Sequence, residues 1–305
     1  MNVLITGGAG YIGSELVKKL VKRGDVDGIT IYDNLSRSNY NLFLGDKINS
    51  DKIRFVKGEL LDSRNLKKHL QGIDVVYHLA AKVTTPFANT DPHFYEQVNH
   101  WGTAELVYAV EESDVKKFIF SSSTGVYGSS KEAVNEDHHP NPKTFYGISK
   151  LRAEEHVSRL SDKMETYILR CGNVYGHSPS MRFDAVINKF MFEANFNRQI
   201  AIHGDGKQHR SFIHIDYVSR ALANILDGKV TPEIYNLVDK DLTILDIVDV
   251  LKEMIPDLEF IFINQHLKLR ELLVEPNKRL MKQLNIDHSK SLKEELREFR
   301  NQFSF

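Results

Sequence analysis

The chain has 305 residues, 41% hydrophobic and 27% charged, ordinary for a folded globular protein and long enough for one or two domains with a large core. Its 40 Lys and Arg nearly balance 41 Asp and Glu, giving a formal charge of -1, so no global field recruits nucleic acid or an anionic membrane and any anionic ligand must be held by local groups. The lone Cys171 excludes an intrachain disulfide and a multi-cysteine metal site, no apolar run nears the roughly 20 residues that span a bilayer, and the opening residues show no secretory pattern, so the expectation is a soluble, cytoplasmic, metal-free protein.

In chain order, short β-rich runs alternate with longer amphipathic segments. Asn2–Thr6, Gly28–Tyr32, Ile53–Lys57, Val75–Leu79, Lys117–Ser121 and Thr166–Leu169 read as strands, with helices near 12–23, 62–70, 94–112 and 145–161 between them. That alternation predicts a parallel sheet with helices on both faces. After Arg170 the pattern loosens into the loops Gly176-His177-Ser178-Pro179 and Gly204-Asp205-Gly206. Glu233–Val238 reads as a strand returning to the first sheet, and 243–255 and 291–303 read as amphipathic helices. The expected architecture is α/β: a Rossmann-type doubly wound parallel sheet over 1–174 plus about 214–240, and a smaller, discontinuous C-terminal α/β substrate domain over about 175–213 plus 241–305. The substrate cleft is expected between them, at the carboxyl ends of the strands.

Gly7, Gly10 and Gly13 sit between the first strand and the first helix, where they permit a tight turn and bring amide donors and the helix dipole to a pyrophosphate. Twenty residues past Gly13, Asp33 closes the second strand, where a carboxylate would accept hydrogen bonds from an adenosine ribose diol and repel a 2′-phosphate. The pattern favours NAD over NADP; Arg37, in the following loop, is the one cation that speaks for a phosphate, and reads otherwise as a solvated loop residue. Further on, Tyr146 and Lys150 share a helix face at i and i+4. A phenol of ordinary pKa about 10 is a poor base, but an ammonium one turn away and a nicotinamide charge nearby favour the phenolate.

With these motifs in place the chain resembles the extended short-chain dehydrogenase/reductase family, in particular the NAD-dependent nucleotide-sugar epimerase/dehydratase group typified by UDP-glucose 4-epimerase. The resemblance covers nearly the whole chain, in order through Thr6–Gly13, Asp33-Asn34-Leu35, Gly58-Glu59-Leu60-Leu61-Asp62, His78-Leu79-Ala80-Ala81, Val98-Asn99 with Gly102-Thr103, Ser121 to Gly128, the Tyr146/Lys150 pair, Arg170 through Gly176, and Gly204 through Asp216. It implies Ser123, Tyr146 and Lys150 as the catalytic set. For the cofactor it implies Gly7, Gly10, Tyr11, Ile12 and Gly13 in the pyrophosphate loop, Asp33 and Asn34 at the ribose, Glu59 and Leu60 beside the adenine, Ala80, Ala81 and Lys82 along the cofactor, Asn99 near its binding loop, and Tyr146 and Lys150 at the nicotinamide end. For a nucleotide-diphosphate sugar it implies Lys82, Thr84, Ser123, Thr124, Asn173, Arg210 and Arg270, with Arg210 as the phosphate clamp and Arg270 as either a second clamp or a surface ion pair. His177 stands where many relatives carry proline. Leu273, in the short segment from Arg270 to Pro276, reads as a hexose-pocket wall or as core.

Members that dehydrate the sugar carry an Asp-Glu pair directly after the catalytic Ser/Thr, and decarboxylating members keep the Glu; here those positions are Thr124 and Gly125. Members that epimerise at C3 and C5 use a Cys/His pair near this loop, and Cys171 lies elsewhere. The resemblance therefore implies C4 epimerisation of a UDP-hexose (UDP-glucose/galactose or their N-acetyl forms) through a 4-keto intermediate, with NAD retained. The alternatives are a nucleotide-sugar 4-ketoreductase or other NAD(P)-dependent nucleotide-sugar oxidoreductase, and a non-catalytic dinucleotide-binding protein. The helices at 94–112 and 145–161 resemble the pair that builds a homodimer interface in this family; Leu106, Val107, Val110, Leu151, Val157 and Leu160 fit that interface, and a buried intrachain core explains them nearly as well.

Overall fold

Val3, Leu4 and Ile5 are wholly buried although successive residues of a strand face opposite ways, so β1 (Asn2–Thr6) must be covered on both faces. The computed structural model describes residues 1–44, 50–83, 91–265 and 269–303 and sets β1 in the middle of a seven-stranded sheet. The other strands are β2 (Gly28–Asp33), β3 (Ile53–Lys57), β4 (Val75–His78), β5 (Lys117–Ser123), β7 (Glu165–Cys171) and β11 (Ile234–Leu237). Their spatial order is β3-β2-β1-β4-β5-β7-β11, and every neighbouring pair is parallel. Strand order reverses between β1 and β4, which makes the carboxyl ends of these two strands the crevice where a ligand sits in such a sheet.

The seven strands read from the sequence are all present, with ends within two residues of those expected. β5 runs on to Ser123 because the ladder with β7 continues past the apolar stretch, pairing Ser123 with Cys171. The helix expected over 94–112 is divided into Pro92–Tyr95, a π-helical stretch Glu96–Trp101, and Gly102–Glu111.

Two apolar cores flank the sheet. One gathers Val3, Ile5, Tyr77, Ile119 and Leu169 under the helices Tyr11–Val21 and Ile215–Asn224. The other gathers Leu4, Val76, Phe118 and Phe120 under Gly102–Glu111 and Phe145–Ser158. Leu106, Val107, Val110, Val157 and Leu160 belong to this second core and are wholly buried within the chain, so the intrachain explanation holds for them; Leu151 instead packs partly buried against a small cluster around Val126 and Val274.

A third core, with Tyr175, Phe190, Ile202, Phe212, Ile247, Leu251 and Leu296, lies among the helices Val186–Phe196, Ile244–Met254 and Leu292–Arg300. The strands β8 (Asn173–Tyr175), β10 (His209–His214) and β12 (Lys240–Thr243) form one small sheet there, and β9 (Gln199–His203) pairs with β13 (Glu259–Ile263). A further pair joins β6 (Ser130–Val134) to β14 (Leu272–Val274). The stretch carrying Leu280, Met281, Leu284 and Ile286 was expected in the smaller unit, but its apolar side chains are buried in the core of the large sheet.

Candidate active site

The loop from β1 into the helix Tyr11–Val21 is a backbone cradle. Gly10 caps that helix with no side-chain hydrogen bond, leaving first-turn amides free of an internal partner. Gly7 adopts φ +71°, and a Cβ there would stand 2.6 Å from the Ala80 nitrogen; a Cβ on Gly13 would stand 2.5 Å from the Gly7 carbonyl oxygen. Beside the cradle Asp33 accepts from the Ala9 amide at 3.1 Å and the Leu35 amide at 2.8 Å. Burial raises the Asp33 pKa, and those two amides partly offset it. Asn34 donates to Glu59 Oε2 at 3.0 Å, the Tyr32 hydroxyl donates to the Glu59 carbonyl at 2.9 Å, and Leu60 lies against Gly102. Arg37 reaches Asp184 at 3.3 Å, so the cation that spoke for a 2′-phosphate is paired with a carboxylate. An uncapped helix start, a cradle that a Cβ would fill and a carboxylate at the end of β2 fit the pyrophosphate and adenosine ribose of NAD.

Ile12 lines the cleft that opens beyond the cradle. The Tyr11 side chain ties this loop to a distant one. Its buried hydroxyl donates to the Gly176 carbonyl at 2.6 Å and accepts from Asn188 at 3.1 Å, while the Asn188 carbonyl takes the Gly176 amide at 2.9 Å. Ser178 and Ser180 donate to the Tyr11 and Ala9 carbonyls at 3.1 and 2.8 Å. Together these residues tie the cofactor loop to the loop after β8, and the sequence reading did not find Asn188, Ser178 or Ser180. His177, next to them, is exposed.

The proposed catalytic side chains meet where β5 ends. Thr144 caps the helix Phe145–Ser158 by accepting from the Gly147 amide at 3.0 Å. A Cβ on Gly147 would stand 2.5 Å from the Gly125 carbonyl, so glycine lets this helix lie directly on the turn Thr124–Tyr127 that follows β5. Tyr146 thereby comes near Ser123, whose Oγ accepts from the Gly125 amide at 3.1 Å. Lys150 is only 2% exposed, donates to the Ser121 carbonyl at 2.7 Å and lies 4.6 Å above the Phe120 ring. Burial lowers its pKa to about 8, with Cys171 and Glu154 acting in the opposite sense. Burial likewise raises Tyr146, offset in part by the Ser123 hydrogen bond and the Arg182 charge. The lowering of the phenol by Lys150 expected from the spacing is therefore not set up by the protein groups alone.

Asn99 works through the backbone. It is buried in the π-helical stretch, takes the Lys82 amide at 2.7 Å, and donates to the Lys82 carbonyl at 2.9 Å and Ser149 Oγ at 3.1 Å. That joins the loop after β4 (Ala80, Ala81, Lys82) to the helix Phe145–Ser158. His78, fully buried, bridges Thr6 Oγ1 at 2.7 Å and Thr103 Oγ1 at 2.8 Å, and Thr103 in turn donates to the Asn99 carbonyl at 2.6 Å. The exposed Lys82 holds its ammonium 4.7 Å from the Phe94 ring. Thr84 lies outside the described residues.

A cleft of about 960 Å³ opens over these groups. Ser123, Tyr146, Lys150 and the buried Thr124 line it, with Asn173, Arg210 and Arg270. Asn173 is anchored to the Ser211 carbonyl at 3.0 Å. Burial and then the Arg270 charge lower Arg210, and among the described residues neither arginine is recorded in an ion pair with a carboxylate. Two guanidiniums facing one cavity suit a diphosphate. Arg182, paired with Asp184 at 3.1 Å, also lines the cleft, and no motif in the sequence marked it. Leu272 rather than the half-buried Leu273 faces the cavity. Asp33, Asn34 and Glu59 lie outside it, at the ends of β2 and β3. Among the described residues no group of three or more His, Cys, Asp or Glu could hold a metal ion, and no helix is long and apolar enough to cross a membrane.

Comparison with known proteins agrees with this geometry. The NAD dependent epimerase/dehydratase family profile matches residues 3–237. A putative UDP-glucose 4-epimerase of Methanocaldococcus jannaschii is 33% identical over 261 residues, which is 83% of this chain and 82% of the relative. The dTDP-D-glucose 4,6-dehydratase of Homo sapiens is 34% identical over 243 residues, 77% of this chain and 68% of the relative. Among solved structures, UDP-glucuronic acid 4-epimerase from Bacillus cereus, in complex with UDP-glucuronic acid and NAD, superimposes with a TM-score of 0.87 at 27% identity, covering 99% of this chain and 98% of that one. The doubly wound sheet, the glycine cradle and these relatives converge: the chain is an NAD-dependent enzyme of the extended short-chain dehydrogenase/reductase type and belongs to the NAD-dependent epimerase/dehydratase family.

Proposed function

We propose that the enzyme inverts C4 of a UDP-hexose, with Tyr146 as the proton-transfer group. The observation that carries this reading is the Ser123–Tyr146–Lys150 cluster at the floor of a cleft whose wall bears Arg210 and Arg270. When bound, NAD supplies a reversible hydride acceptor and a positive ring charge beside the phenol, which favours the phenolate. Tyr146 takes the proton of the 4-hydroxyl, with Ser123 hydrogen-bonded to the reacting oxygen, and returns it to the oxygen of the epimer. Lys150 is fixed by the Ser121 carbonyl, one helical turn beyond Tyr146. Arg210, Arg270 and Asn173 grip the diphosphate far from C4, so the hexose is held loosely enough to present either face of the 4-keto sugar.

Dehydration fits the cleft less well. It needs a further acid and base beside the catalytic serine, and those places hold Thr124 and Gly125. A Cβ on Gly125 would already stand 3.3 Å from Ser123 Oγ. Asp184 is the one carboxylate among the described residues that line the cleft, and Arg182 and Arg37 both engage it.

The same reading divides the chain into a cofactor domain and a smaller substrate domain, with cytoplasmic location supported by the lone cysteine. It also includes a homodimer through the outer faces of Glu96–Glu111 and Phe145–Ser158, where Trp101 and Tyr108 stay exposed; light scattering tests that point. The activity is tested by incubating the purified protein, with no cofactor added, with UDP-, dTDP-, GDP- and CDP-sugars and following C4 epimers by NMR. A stoichiometric demand for NADPH or NADH would instead identify a ketoreductase.

A further inference from the structure

The helix that carries Tyr146 and Lys150 places a third polar side chain on the same face. Glu154 lies four residues beyond Lys150 and is buried. Its carboxylate accepts from the Ser122 hydroxyl, from Arg170 Nε at 3.1 Å and from Arg170 Nη2 at 2.7 Å. Two consecutive serines at the end of β5 thus bond to members of the stripe: the Ser121 carbonyl accepts from Lys150 and the Ser122 hydroxyl donates to Glu154, while the next residue, Ser123, stands near Tyr146. Behind Glu154 the contacts continue inward. Arg170 Nη1 donates to the Tyr127 hydroxyl at 2.9 Å, which donates to Asn236 Oδ1 at 2.7 Å, tying the helix to β7 and β11.

We infer that Glu154, held by Ser122 and Arg170, is a positioning residue for the reaction: it fixes the register on β5 of the helix that carries Tyr146 and Lys150. The inference rests on the reading of Tyr146 and Lys150 given above. A lone buried ion pair is no evidence of function. What distinguishes this one is its place on the stripe with Lys150, the two side chains bonding to successive serines of β5.

The test is kcat and KM of the NAD-bound enzyme and its Glu154→Gln and Ser122→Ala variants. Glu154→Gln keeps the shape and weakens the grip on Arg170; kcat should fall about tenfold with KM little changed. Ser122→Ala loosens one rung; kcat should fall several-fold with KM unmoved. A wild-type kcat in Ser122→Ala, or a loss that appears in KM while kcat stays, overturns the inference, and the serine variant decides it even where the glutamine variant does not fold. Failure of the underlying reading shows separately, as an active Tyr146→Phe enzyme.

Discussion

Tyr146 and Lys150 stand one turn apart on the same helix, yet they lie at different residues of one strand: the phenol stands near Ser123, and the ammonium donates to the Ser121 carbonyl at 2.7 Å. Burial is the largest influence on both, raising the phenol and lowering the ammonium to about 8. Each group is thus held in the protein alone toward its neutral form, and the positive ring of a bound nicotinamide is what would tip the phenol toward ionisation.

The buried Lys150 has a consequence for stability. Its folded pKa of about 8 lies below the unfolded value near 10.4, so between these pH values the unfolded chain binds the extra proton and stability contributed at this site rises with pH. Cofactor-stripped wild type and Lys150→Met should therefore converge in the variant's disfavour: any stability advantage of the methionine at pH 7 shrinks by about 3 kcal/mol on going to pH 11. Urea unfolding at a series of pH values measures it, and a constant difference contradicts it.

Gly147→Ala should damage the site without touching any reacting atom. The new Cβ meets a backbone carbonyl 2.5 Å away that cannot swing aside, which costs about 1–3 kcal/mol and lifts Tyr146 away from Ser123. The expected outcome is a lower melting temperature and a kcat reduced roughly tenfold or more, with KM little changed.

Asp33 should govern the choice of cofactor. Asp33→Ser removes the carboxylate next to the cradle and the acceptor for the Ala9 amide. NAD affinity, read by calorimetry on stripped protein, should fall roughly tenfold to a hundredfold, and the preference over NADP should narrow.

Arg210 should act on binding rather than on the chemical step. Arg210→Met should raise KM for the nucleotide sugar about tenfold or more and leave kcat within a few-fold, since the clamp is equally engaged in ground and transition states. A collapse of kcat at unchanged KM would move Arg210 into the chemistry.

Much of this was legible in the sequence because apolar runs and glycine spacing report local geometry. The strands of the large sheet, the cradle and the Tyr146/Lys150 face follow from period and spacing alone. Other parts depend on contacts between distant residues. The Tyr11 hydroxyl finds its acceptor 165 positions away, which no spacing within the glycine loop encodes. The helix Val186–Phe196 begins at Ala185 with no side-chain cap, so it lacks a start signal. The π-helical stretch at Asn99 exists where that side chain holds the Lys82 backbone, a demand invisible in an otherwise regular helical pattern. β5 extends through Ser121, Ser122 and Ser123 because its partner strand continues, against the polarity of those residues.

The central claim is that one phenolic oxygen moves the proton at C4, and Tyr146→Phe tests it most directly. The purified variant and wild type should carry the same amount of NAD and melt alike. Assayed by NMR on the wild-type enzyme's UDP-sugar with no cofactor added, wild type should interconvert the C4 epimers and the variant should be slower by roughly a hundredfold to ten-thousandfold. A Tyr146→Phe enzyme that epimerises at the wild-type rate would contradict the account.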